Sequence, residues 1–317
     1  MVLRQEGRIM KITVIGSTNT EMIFKAPVIP AAGDTILGSS FSMSPGGRGL
    51  NQAIAASRAG GEVVFVGRTG NDLFGDNILQ VLHKNSINAS LVIKDKELTS
   101  GITSIILDSR GESGVTVTPG ANSNLSVNDM IRAKENIISA DVVLLQLDIP
   151  VDTIKFAADL AKSSGVRVIL NPAPALPVSD ELLKSISVLT PDTSQAEILT
   201  GITITDVRSA ELAGRILLER GLDRVIITLS PHGALVIDNG GAEHVPGFKI
   251  NPVDNAASSD VFNGALAVGL AEGKNFYEAV LFANAAAALA SSKQGTLSSI
   301  PDRNDIMDGL RTMPRLF

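Results

Sequence analysis

A chain of 317 residues with 44% hydrophobic and 19% charged side chains can bury a substantial core, which excludes an intrinsically disordered protein. It has no cysteine, and its three histidines (His83, His232 and His244) lie far apart, which excludes disulfides, thiolate catalysis and Cys- or His-built zinc sites and fits a cytoplasmic setting. The net charge of −6, with no Lys/Arg cluster, argues against nucleic acid as a partner, and the lack of any run of about 18 apolar residues argues against a membrane span.

The first ten residues contain Arg4 and Arg8 but no signal-like apolar stretch, so a disordered extension is expected there, ahead of one domain at 11–317. Lys11–Ile15 is the first β-branched run, and GSTNTE (Gly16 to Glu21) follows at its carboxyl end. Residues 35–44 alternate apolar and polar side chains with no helix after them. PGGRGLN (Pro45 to Asn51) then sets three glycines in four positions ahead of a small-residue helix at 52–59, which implies close backbone approach to a ligand or a tight turn into the helix. This is not a P-loop, because the spacer and the Lys-Ser/Thr ending are missing. No GxGxxG follows the first strand and no GxSxG elbow occurs, against a nicotinamide enzyme and an α/β hydrolase.

After a run at 63–66, residues 103–118 read as two strands joined at 108–112. With 35–44 they form a small β lid outside the main sheet, inserted from roughly 19–50 and 98–119. Runs at 142–147, 166–170, 187–190 and 225–228 alternate with amphipathic patterns at Val151–Ser163, 210–220 and Phe276–Ser291, the signature of βαβ units. The expected fold is α/β, a doubly wound and mostly parallel sheet with helices on both faces.

Ligands on open α/β sheets gather at the carboxyl ends of the strands. Gly16 to Glu21, Gln146-Leu147-Asp148, Asn171-Pro-Ala-Pro174 and Thr190-Pro191-Asp192 all bring polar side chains there. Each alone is an ordinary turn sequence, but four on one edge favour a site. Near the end of the chain, VDNAASSDVFNGAL (Val253 to Leu266) predicts a helix starting near Ser258 or Ser259. Asp260 then sits beside unpaired N–H groups, able to act as a base next to an anion, or merely to complement the helix dipole while Ser259 caps.

In order and spacing, GSTNTE, PGGRGLNQA, LLQLD, NPAPA, TPDTSQAE, ITLSPHGA, VDNAASSDVFNGAL and FANAAAALA resemble the ribokinase-type (ribokinase/fructokinase-like) carbohydrate kinases, from about residue 11 to residue 310. The resemblance implies ATP-dependent transfer of the γ-phosphate to a primary hydroxyl, O5, of ribose or a ribose-like sugar. It implies Asp260 as general base, with an anion hole from the backbone of Ala257, Ser258 and Ser259. Asn19, Glu21, Gly47, Arg48, Asn51 and Asp148 would contact the sugar. Asp192, Gln195, Thr228, Ser230, Gly233 and Asn284 would serve ATP and Mg2+. Asp254, Ala256, Ala290, Lys293, Gly295 and Ser299 would hold a monovalent cation, K+. The β lid would also form a homodimer contact.

The chain departs from the family pattern at several of these positions. Ser259 replaces a glycine of the anion hole, which obstructs if a positive φ is needed there and is harmless if the backbone is helical. The usual Asn-x-x-Glu becomes Asp192-Thr-Ser-Gln195, with the expectation that Asp192 supplies the charge and Gln195 the amide from one helix face. Glu21, Arg48 and Asp148 stand for Asp, Lys and Glu, and Ser230 for Gly, which keeps charge but changes reach. These changes motivate an alternative, a catalytically impaired ribokinase-like sensor that binds sugar or nucleotide.

Overall fold

The computed structural model describes residues 9–316. Residues 1–8 of the expected extension lie outside the described residues, and Met10 leads directly into the first strand. In chain order the described strands are β1 (Lys11–Ile15), β2 (Asn19–Lys25), β3 (Ser40–Gly46), β4 (Glu62–Gly70), β5 (Asn88–Asp95), β6 (Gly101–Leu107), β7 (Ser113–Thr118), β8 (Val142–Gln146), β9 (Arg167–Asn171), β10 (Val188–Leu189), β11 (Arg224–Thr228), β12 (Gly233–Asp238) and β13 (Gly241–Pro246).

Nine of them form one sheet in the order β13-β12-β11-β10-β9-β8-β1-β4-β5, parallel from β5 to β11 and closed by the antiparallel β12 and β13. β1 lies between β4 and β8, so the strand order reverses there and opens a crevice beyond its carboxyl end. Side chains alternate strictly between two cores: Ile12 and Val14 enter one and Ile15 the other, as do Val142 and Leu144 against Val143 and Leu145. A strand buried on both faces is apolar at nearly every position, which is why these runs read as near-continuous, and the buried polar exceptions Thr13, Gln146 and Asn171 are hydrogen-bonded.

One core is built with the Arg48–Arg58, Ser258–Ala271 and Phe276–Ser291 helices, the other with Val151–Ser163 and Val207–Glu219. Ser258–Ala271 is buried on nearly every side, so it lacks the polar stripe of a surface helix. The remaining strands form the lid, a separate four-stranded sheet in the order β3-β2-β6-β7.

Several boundaries differ from the sequence expectation. The strand expected at 35–44 is Ser40–Gly46, because the ladder with β2 runs from Lys25 opposite Ser40 to Asn19 opposite Gly46, with Ser39 N–H donating to Lys25 O at its start. The helix expected at 52–59 begins four residues earlier, at Arg48, after Gly47 turns the chain at φ 98°. The helix expected at 210–220 begins at Val207, capped by Asp206. Sequence alternation did not mark β2, β5, β12 or β13. Among the described residues no helix is long and apolar enough to cross a membrane.

Candidate active site

Asp260 lies in the first turn of the Ser258–Ala271 helix and is buried. Its Oδ2 accepts from Asn51 Nδ2 at 2.9 Å and its Oδ1 from Gln52 Nε2 at 2.9 Å, both on the Arg48–Arg58 helix. The two helices can approach this closely because Gly264, one turn after Asp260, has no side chain: a Cβ there would lie 2.6 Å from Gln52 O. Burial pushes the Asp260 carboxyl up, and Arg48, Asn51 and Gln52 oppose that by stabilising the charged form.

Hydrogen bonds continue away from the carboxylate. Gln52 Nε2 also reaches Asn171 Oδ1, and Gln146 Nε2 donates to Gln52 Oε1 at 2.7 Å. Asn171 Nδ2 donates to Thr190 O, Thr190 Oγ1 to Asn263 Oδ1, and Asn263 Nδ2 to Ser259 O, which returns the path to the helix that carries Asp260. Gln52 had no role in the sequence reading. Its signal was a polar residue on the inner face of a helix otherwise made of small apolar ones.

The helix starts at Ser258 with Ala257 as N-cap and no side-chain cap, so Ser259 does not cap it. Among the described residues, positive φ outside glycine occurs at Ser86 alone, so Ser258 and Ser259 sit in ordinary helical backbone. The Ser258 N–H is held by Asn255 O at 3.1 Å.

On the lid side, Glu21 Oε2 accepts from Thr296 Oγ1 at 2.9 Å. Burial raises its pKa, Thr296 lowers it, and the Asp260 charge raises it further. Asp148, after β8, accepts from Ser17 Oγ. Burial pushes it up to about 6 against the pull of Ser17 and Arg48. Asn19 is buried, donating to Thr103 Oγ1 and accepting from Asn122 Nδ2. Asn122, which the sequence reading passed over, also pins both backbone groups of Thr18. Asn19 and Asp148 share a cavity of about 390 Å³ with Ser17, Val117 and Pro174. Among the described residues, Asn51 Oδ1, Gln146 Oε1 and Asp148 Oδ1 are buried without a partner. Such an atom costs about 1–3 kcal/mol unless a ligand or another gain offsets it.

A cavity of about 600 Å³ on the other side is lined by Asp192, Thr228, Ser230, Gly233, Asn284, Ser258 and Ser259. Gln195 does not line it. Asp192 is the N-cap of the Thr193–Thr200 helix, and the pair closes a reciprocal capping box: Gln195 N–H donates to Asp192 Oδ1 and Asp192 N–H to Gln195 Oε1. The expected shared helix face is therefore absent, because Asp192 has extended backbone (φ −78°, ψ 178°) and Gln195 folds back towards it. Asn284 donates to Val245 O and Pro246 O, tying its helix to β13.

Asp254 accepts from the N–H groups of Ala256 and Gly295, which draws the loop before the Ser258–Ala271 helix against the segment after Phe276–Ser291. Ala290 O accepts from Lys293 N–H and Ser299 Oγ donates to Thr296 O. Among the described residues there is no cluster of three or more His, Cys, Asp or Glu that could hold a metal.

Residues 10–303 match the sequence profile described as pfkB family carbohydrate kinase. The chain belongs to the pfkB family. A pfkB relative, ribokinase of Haemophilus influenzae, is 36% identical over 299 residues, covering 94% of this chain and 98% of the relative. The solved ribokinase of Arabidopsis thaliana complexed with ribose and ATP superposes with a TM-score of 0.90 at 28% identity, over 96% of this chain and 99% of that one. The ribokinase of Thermotoga maritima gives a TM-score of 0.88 at 33% identity, over 96% and 100%. The family and the α/β fold with its lid agree with the sequence expectation, and the protein is a ribokinase-like sugar kinase of the pfkB family.

Proposed function

We propose that the chain transfers the γ-phosphate of ATP to the primary hydroxyl, O5, of ribose or a ribose-like sugar. The observation that carries this reading is the position of Asp260. Its helix opens with Ser258 and Ser259 on the wall of the larger cavity, while Asp148, which senses its charge, lines the smaller one. A sugar hydroxyl against Asp260 gives its proton to the carboxylate as its oxygen bonds to the γ-phosphorus and the bond to the ADP oxygen breaks. The helix N-terminus at Ala257, Ser258 and Ser259 would favour the charge of the transferring phosphoryl, with the Ser258 N–H leaving Asn255 O to reach it.

Asn19, Glu21, Gly47, Arg48, Asn51 and Asp148 would hold the sugar. The unpartnered Asn51 Oδ1 and Asp148 Oδ1 support this, since hydroxyl donors would satisfy both. Asp192, Thr228, Ser230, Gly233 and Asn284 would hold the nucleotide. Asp192 would supply a carboxylate for Mg2+, which when bound with the nucleotide would neutralise phosphate charge. Asp254, Ala256, Ala290, Lys293, Gly295 and Ser299 would hold K+. Exposed Phe24, Phe41 and Met43 on the lid support a homodimer there, and the absence of cysteine suits a cytoplasmic enzyme. The ribose and ATP of the Arabidopsis complex support both substrates. Helical backbone at Ser259 favours catalysis over a non-catalytic sensor.

The test is ADP release with Mg2+, K+ and ATP across pentoses, hexoses and nucleosides. Release is expected with ribose or a close relative and is lost in Asp260→Asn. Release retained in Asp260→Asn, or silence with sugar binding intact, refutes the assignment.

A further inference from the structure

We propose that Gln52 and Gln146 are positioning residues, a two-amide relay that orients Asp260 and holds it as the anion, with the orphaned Gln146 Oε1 as the far end of that relay. The inference rests on the kinase reading for its purpose but not for its geometry.

An ionised carboxylate accepts hydrogen bonds and cannot face an amide oxygen. Because Gln52 lies 2.9 Å from Asp260 Oδ1, its Nε2 must point there and its Oε1 must point away. That oxygen meets Gln146 at 2.7 Å, so Gln146 must present Nε2 in turn. Its own Oε1 is then left facing Gly16, where it is buried with no partner among the described residues. A Cβ on Gly16 would lie 1.9 Å from this oxygen, so the glycine after β1 leaves the space it occupies. Turning Gln146 over would set oxygen against oxygen at Gln52. The polarity of the whole chain thus originates at Asp260, and neither glutamine lines the nucleotide or the sugar cavity.

The charged groups facing Asp260 come from several elements: Arg48 from the helix that carries Gln52, Asp148 from the turn after β8, and Glu21 from β2, itself influenced by Asp254. Asp148 is two residues from Gln146. A second variant on another element therefore separates the two effects.

The experiment measures the pH profile of kcat/KM and the 13C titration of the Asp260 side-chain carboxyl, assigned by its loss in Asp260→Asn, for wild type, Gln146→Met and Gln52→Met. Methionine keeps the length and removes the amide. In both variants the acid limb and the carboxyl titration are expected to move to higher pH by about half a unit or more. Unchanged titration of Asp260 in both, with only a lower Tm, would show that the amides merely pack and overturns the relay. If wild type shows no turnover, the kinase reading fails, while the carboxyl titration still decides the relay.

Discussion

At Asp192 and Gln195 one short motif separates into two jobs. Gln195→Ala removes half of the capping box and is expected to cost about 1 kcal/mol of stability with turnover near wild type. Asp192→Asn keeps a capping oxygen and removes the charge, so stability should hold while kcat and the response to Mg2+ fall. Denaturation curves and Mg2+ titrations of the two variants check this, and equal behaviour would refute the division. Asp148 carries a different consequence. Burial pushes its carboxyl up to about 6 in the folded protein, above the usual range of an aspartate, so the folded form binds the proton more tightly. That contribution is present at low pH and is lost as pH rises through about 6, which leaves the charged residue destabilising at neutral pH. Asp148→Asn should therefore raise stability at pH 7 by roughly 1 to 3 kcal/mol, with little difference near pH 3, and should weaken sugar binding. A variant less stable than wild type at pH 7 would contradict it.

Among the elements, the Arg48–Arg58 and Ser258–Ala271 helices decide the site by how closely they pack. Gly264→Ala would push its methyl against Gln52 O and Ala55 Cβ, each 2.6 Å from the ideal Cβ position. The expected result is a loss of about 1–3 kcal/mol, together with a drop in kcat larger than the change in KM, since Asp260 shifts relative to its amides. A variant that is destabilised with unchanged kcat would show that this spacing matters for packing alone. The helix sequences foretell helices well enough, one through its start signal near Ser258 and the other, FYEAVLFANAAAALA, through its alanine content. They do not foretell contact distance, which depends on which small residues meet across the interface.

For the whole molecule, the lid is the least buried part. Its strands bring the Phe24 and Phe41 rings to 5.0 Å, with Phe41 56% and Met43 47% exposed, while Val115 and Val117 are exposed as well. Apolar surface gathered on one small sheet is costly to leave in water. The proposed lid-to-lid dimer predicts a dimer by sedimentation equilibrium, and Phe41→Asp should give a monomer with weaker sugar binding. A monomeric wild type would remove this part of the proposal.

The sequence by itself determined the parallel sheet and the family. Strands buried on both faces are largely apolar and the helices between them amphipathic, so the βαβ rhythm is written locally, and the ordered set of strand-end motifs identified the kinase lineage. It could also point to Asp260, because a helix start is a local signal. Only the tertiary structure decided what surrounds that carboxylate. Gln52 is 208 residues from Asp260 and 94 from Gln146, and no periodicity links positions joined only by helix and sheet packing. It likewise decided the geometry of one i,i+3 pair. At Asp192 the extended backbone turns Asp192 and Gln195 into a cap, whereas helical backbone would have set them on one face.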